Sequence, residues 1–149
     1  MKLVNFKSFH IDRIPRERYL KIFWKSMWSI QNDPADPCYF IDSDDTCYRT
    51  GLESYSSDLG STPRILELIF PHDEFIVSYG HHDYGWKQGG LYVKKPNEIF
   101  YDFVKIPRFK LNCLLRSFVQ AEGEIIGGGG KFKRNVIKLG TDIGALWPF

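Results

Sequence analysis

From Gln31 onward the chain is repeatedly interrupted by turn-forming clusters. QNDPADP at Gln31–Pro37 places two prolines and two aspartates in seven residues, and Pro71-His72-Asp73 and Lys95-Pro96-Asn97 recur further on. Proline removes a backbone donor, and Asp and Asn bond to their own backbone, so such clusters end regular structure. What lies between them is short and rich in β-branched and aromatic residues. Cys38–Asp42, Arg64–Phe70, Glu74–Tyr79, Leu91–Lys95 and Glu98–Ile106 therefore read as strands. Leu3–Phe9 is strand-like, and the tail EIIGGGGKFKRNVIKLG reads as two short strands joined by a flexible tip.

Two segments have helical spacing instead. In Pro15–Ile30, Leu20, Phe23, Trp24, Met27 and Ile30 recur every three or four residues, and Pro15 suits a first helical turn. Arg16, Arg18, Lys21 and Lys25 make the rest of that segment basic, and its apolar face is read as a packing face. In Arg108–Ala121, Leu111, Leu114, Leu115, Phe118 and Val119 form the second apolar face, with Gly123 as a stop. The expected fold is one α+β domain over residues 1–149. It has an antiparallel sheet of five or six strands and two packed helices, 15–30 and 108–121. At 149 residues and 43% hydrophobic content the chain can bury a core of its own.

Several function classes are excluded by composition and spacing. No apolar run approaches the roughly 20 residues that cross a bilayer, and Asn5, Lys7, Ser8 and His10 interrupt any export-signal core. A cytoplasmic protein is expected. Cys38, Cys47 and Cys113 form no CxxC pair, so free thiols are expected over a zinc site, with a local Cys38–Cys47 bridge the alternative. DSDDTCYRTGLE at Asp42–Glu53 places oxygens at loop positions 1, 3, 5 and 12 of a calcium loop. It has Cys47 where the turn needs glycine, so an acidic docking loop is the reading. Gly127–Lys131, GGGGK, lacks the leading glycine of a phosphate loop, and Phe132 replaces its hydroxyl residue. No metal and no cofactor is expected.

VSYGHHDYGWKQGG at Val77–Gly90 reads as a long hairpin loop with aromatic residues at its surface. His81, His82 and Asp83, with His72, are the alternative: general acid–base groups of a small hydrolase or nuclease. Charge is segregated along the chain. Residues 1–30 carry seven Lys/Arg against two acids, residues 31–83 two against eleven, and residues 84–149 eleven against five. Such asymmetry favours association with a charged partner.

In size, lack of an export signal, aromatic loops and an acidic segment, the chain resembles the small bacterial immunity proteins of contact-dependent growth-inhibition and other polymorphic toxin systems. That resemblance implies a non-catalytic protein that binds and neutralises a cognate toxin. The candidate surfaces are then the acidic stretch Asp33–Asp58, with Asp42, Asp44, Asp45 and Asp58, and the loop carrying His82, Tyr84 and Trp86. A second alternative is nucleic-acid binding through the basic patch Lys131–Arg134.

Overall fold

The structure is a computed structural model that describes residues 1–13, 28–57 and 75–127, with Asn135, Leu139 and Asp142. Eight strands and two α-helices lie within them. The strands are β1 (Lys2–Val4), β2 (Phe9–Arg13), β3 (Trp28–Asn32), β4 (Tyr39–Ile41), β5 (Cys47–Arg49), β6 (Tyr55–Ser57), β7 (Gly90–Lys94) and β8 (Asp102–Lys105). The helices are α1 (Ile76–Gln88) and α2 (Arg108–Ile126). All pairings are antiparallel, in a five-stranded sheet of order β1-β4-β5-β7-β8 and a three-stranded sheet of order β2-β3-β6. The α+β class expected from the sequence is therefore the observed one, with its strands divided between two sheets. Among the described residues no helix is long and apolar enough to cross a membrane.

Register assigns the faces of the larger sheet, because directly opposed residues project to one side. Leu3, Phe40, Tyr48 and Val93 are successive cross-strand partners. They face α2, where Phe118 stacks on Phe40 at 4.2 Å between ring centroids and meets Tyr48 edge-on. Arg49, Tyr92 and Phe103 form the neighbouring row and project from the opposite face. The same core takes in Phe9 and Ile30 of the smaller sheet, Val77 and Tyr79 of α1, and Leu111, Leu115 and Val119 of α2.

The turn clusters act as the sequence suggests. Asn32 closes the Asp33–Pro37 loop: its amide accepts from the Cys38 N–H at 2.7 Å and donates to the Cys38 carbonyl at 2.8 Å. In the β4–β5 turn, Asp42 Oδ1 accepts from the Asp44 and Thr46 amides, and Asp45 takes a left-handed φ of 61°. Strands, not helices, flank this turn, so it lacks the frame of a helix-loop-helix calcium site. Cys38, Cys47 and Cys113 are free thiols, which sets aside the local bridge.

Three expectations are corrected. The strand expected at Glu74–Tyr79 and the long hairpin loop expected at Val77–Gly90 are replaced by one continuous helix, α1, over Ile76–Gln88; Glu74 lies outside the described residues. The helix expected over 15–30 does not include its last three residues, because Trp28–Ile30 pairs with both β2 and β6. Residues 14–27, and the strand expected at 64–70, lie outside the described residues. The third is α2, which runs to Ile126, passing through Gly123 and stopping at Gly127, whose φ is 84°. The tail expected as two short strands therefore begins in a helix, and its described residues Asn135 and Leu139 are helical too.

The glycines of α1 explain part of the misreading. A Cβ at Gly80 would come within 2.7 Å of the Phe9 ring, and one at Gly85 within 2.7 Å of Leu111. These glycines let neighbours approach a buried helix and make no turn. Gly89 alone behaves as punctuation, ending α1 at a φ of 81°.

Candidate functional site

The histidine segment lies in the core. His81 is 0% and His82 1% exposed, and Asp83 is also buried. Successive helical residues diverge by about 100°, so the two imidazoles enter different surroundings. His81 Nδ1–H donates to the Val77 carbonyl one turn earlier at 2.8 Å. Its ring stacks on Phe9 and meets Phe40 edge-on, and its Nε2 is buried without a hydrogen-bond partner among the described residues. His82 Nε2 lies 2.8 Å from Asn112 Oδ1. Since the Asn112 amide donates to Asp142 at 2.9 Å, Oδ1 is left as acceptor and His82 Nε2 carries the proton. Burial pushes both imidazoles down from 6.5 to about 4, so both are neutral at physiological pH.

The start of α1 is held from across the fold. Phe75 at its N-cap position makes no side-chain cap bond. The carboxylate of Glu122 on α2 takes that role: it accepts from the Val77 and Ser78 amides at 3.0 and 2.8 Å and from the Ser78 hydroxyl at 2.6 Å. Burial raises the Glu122 carboxyl above its ordinary range, and these three bonds act against that shift. At the other end Asp83 pairs with Lys87 at 3.1 Å, and Lys87 also donates to the Ser56 carbonyl. These polar groups fasten one element to another. His81, His82 and Asp83 do not converge on a solvent-reachable point, and no cluster of three metal-ligating side chains occurs among the described residues.

The other expected surface residues divide. His82 is too buried to meet a partner, which corrects its place among the docking residues. Tyr84 and Trp86 are half-buried on α1; Tyr84 packs edge-on against Tyr55, and Trp86 lies beneath the Arg108 guanidinium at 4.4 Å. Asp44 and Asp45 are exposed, whereas Asp42 is occupied in forming its turn. Asp58, His72 and Lys131–Arg134 lie outside the described residues.

The most exposed apolar residues are elsewhere, apart from Ile125, Ile126 and Leu139 toward the C-terminal side. Ile99 is 84%, Phe100 77% and Phe109 72% exposed, and Phe103 and Val104 on β8 are exposed as well. They occupy the β7–β8 connection, the edge strand β8 and the first turn of α2. Lys95, Lys105, Arg108 and Lys110 surround them, with Glu98 and Asp102 as the acids of the same stretch. Strand β8 ends the sheet order, so its outer edge has no strand neighbour among the described residues. The alternation of Ile99, Tyr101 and Phe103 is legible in the sequence, but its exposure follows from β8 being terminal.

Beside this ridge, on the face opposite α2, Arg49 lies between two rings, 5.1 Å from the Tyr92 centroid and 4.3 Å from that of Tyr101. It borders a cleft of about 450 Å³ formed with Gly51–Tyr55, Tyr84, Gln88 and Tyr92. No family model matches the chain, and no curated protein or solved structure matches it either.

Proposed function

We propose that this protein is a non-catalytic binding module that docks another protein on the ridge formed by the β7–β8 connection, β8 and the first turn of α2. The observation that carries this reading is the cluster of Ile99, Phe100, Phe103, Val104 and Phe109, exposed together along a sheet edge. Apolar side chains exposed along a sheet edge and rimmed by charge cost solubility, and exposed apolar surface of this kind commonly marks an interface. The edge offers backbone donors and acceptors to an added strand, and the aromatic residues supply anchors. The lysine-rich rim favours an acidic partner surface.

The specific form of this reading is an immunity protein that neutralises a cognate toxin. It is supported by an acidic turn that exposes Asp44 and Asp45 for docking. A hydrolase built on His81, His82 and Asp83 is disfavoured, since each of the three has a structural partner or an aromatic enclosure.

The test is capture of partners from the native host at about 150 mM salt, a physiological ionic strength. The full chain is compared with a Phe100→Asp/Phe109→Asp variant and an Asp44→Asn/Asp45→Asn variant. A stoichiometric protein held by the wild type and lost by the ridge variant supports the reading. Loss only with the aspartate variant moves the interface to the β4–β5 turn. A bait that retains nothing removes the proposal.

A further inference from the structure

The Arg49 cleft adjoins the ridge, sharing Tyr101 of the β7–β8 connection, but it is lined by its own residues and would take a ligand of different chemistry. Arg49 Nη1 donates to the Thr50 carbonyl at 3.0 Å, and the guanidinium is clasped by Tyr92 and Tyr101. Its position is therefore set before any ligand arrives. Its Nε–H is buried and has no acceptor among the described residues. No described carboxylate lies close enough to pair with Arg49, and burial lowers its proton affinity, with only the neighbouring Tyr101, Tyr92 and Tyr84 acting against that. Arg49 as a whole is half-buried, with only its Nε–H withdrawn from water, and a guanidinium held at the wall of a cleft is a ready partner for a carboxylate or phosphate. Here the fold supplies the cation and leaves the anion out.

The cleft beside it has room for one small molecule: about 450 Å³, within the ordinary range of such sites. Three tyrosines line it, with Tyr55 and Tyr84 edge-to-face at 5.1 Å. Tyr55 is fixed by donating its hydroxyl to the Gly80 carbonyl at 2.9 Å. Rings held in this way offer flat apolar contact to a planar ligand body. Glu53 and Gln88 complete the wall. The Glu53 carboxylate opposes a second negative charge on any ligand, which favours a monoanion over a dianion.

We propose that this cleft binds a small planar carboxylate, with the carboxylate on Arg49 and the ring among Tyr55, Tyr84 and Tyr92. Glu53 sets the preference for a single negative charge.

The experiment follows the Arg49 Nε–H resonance of the intact chain by NMR, assigned from its absence in Arg49→Lys. Benzoate and phenyl phosphate are titrated separately, and acetate serves as the control without a ring. The expected result is a saturable downfield shift with benzoate, at least tenfold tighter than with phenyl phosphate or acetate. Glu53→Gln should narrow the gap between benzoate and phenyl phosphate. Arg49→Lys, which keeps the charge and loses the fork, should weaken benzoate at least tenfold, read from the Tyr84 and Tyr92 ring signals. No saturable shift with benzoate overturns the proposal. So does phenyl phosphate binding more tightly, since the site would then be a phosphate site, or equal affinity for acetate, since the tyrosines would then contribute nothing. The wild-type titration decides the matter even if a variant fails to fold.

Discussion

Helix α1 and the β7–β8 ridge invert the usual placement of side chains. Within α1, Ser78, His81, His82 and Asp83 are buried; along the ridge Ile99, Phe100 and Phe109 stand in water. The buried polar groups are explained by their partners: Glu122 for the helix start, Asn112 for His82, Lys87 for Asp83. The exposed apolar groups have no such explanation among the described residues. The polar residues that would draw attention as catalytic are thus held in structural contacts, and in the function proposed above the hydrophobic residues of the edge are the ones that meet a partner.

The largest test of this contrast is acid. Both histidines are depressed to about 4 when folded, against 6.5 in an unfolded chain. Between those values the unfolded state binds more protons, so the stability present above pH 6.5 is lost as pH falls toward 4. The expected loss is about 3 kcal/mol for each histidine. It would be measured by urea unfolding at a series of pH values, and a flat profile from pH 7 to 4 would contradict the buried placement. Next in size is Glu122→Ala, which strands two amides and a hydroxyl at the start of α1. It should cost about 3–5 kcal/mol, with hydrogen exchange accelerated first at Val77 and Ser78. His81→Leu sharpens the comparison, because Nε2 has no partner among the described residues and only the Nδ1 bond to the Val77 carbonyl is lost. Stability at pH 7 should change by no more than about 1.5 kcal/mol, while the acid-induced loss falls to roughly half. Smallest of all, Phe100→Ser and Phe109→Ser should each move stability by less than about 0.5 kcal/mol while weakening partner capture. A large destabilisation there would show that the ridge belongs to the core.

The legibility of the sequence divides along the same line. Helix α2 is legible because Leu111, Leu115, Phe118 and Val119 are buried while Lys110 and Gln120 face water, so its period is written in polarity. Strands β4 and β7 are legible between their turn clusters, within a residue or two at each end. The apolar alternation around β8 is visible too, though only Asp102–Lys105 of Glu98–Ile106 is paired. Helix α1 is not legible, for it is covered on nearly every side and has no solvated stripe to set a period. Its glycines imitate turn residues, and its cap comes from Glu122, 45 residues from Val77. The Arg49 cleft leaves no trace in the sequence, as nothing near Arg49 in the chain marks it. Arg49, Tyr84, Tyr92 and Tyr101 come together only through the β5–β7 pairing and the C-terminal end of α1.

The sequence by itself determined the α+β class, the turns at Asp33–Pro37 and Asp42–Asp45, and the helix at α2, because each of these is decided by neighbours a few residues away. The tertiary structure decided that Ile76–Gln88 is a helix, that its histidines are neutral and enclosed, and that β8 is an edge with its aromatics in water. Those outcomes depend on which distant groups arrive to bury a surface or satisfy an amide. Local periodicity carries no record of such arrivals.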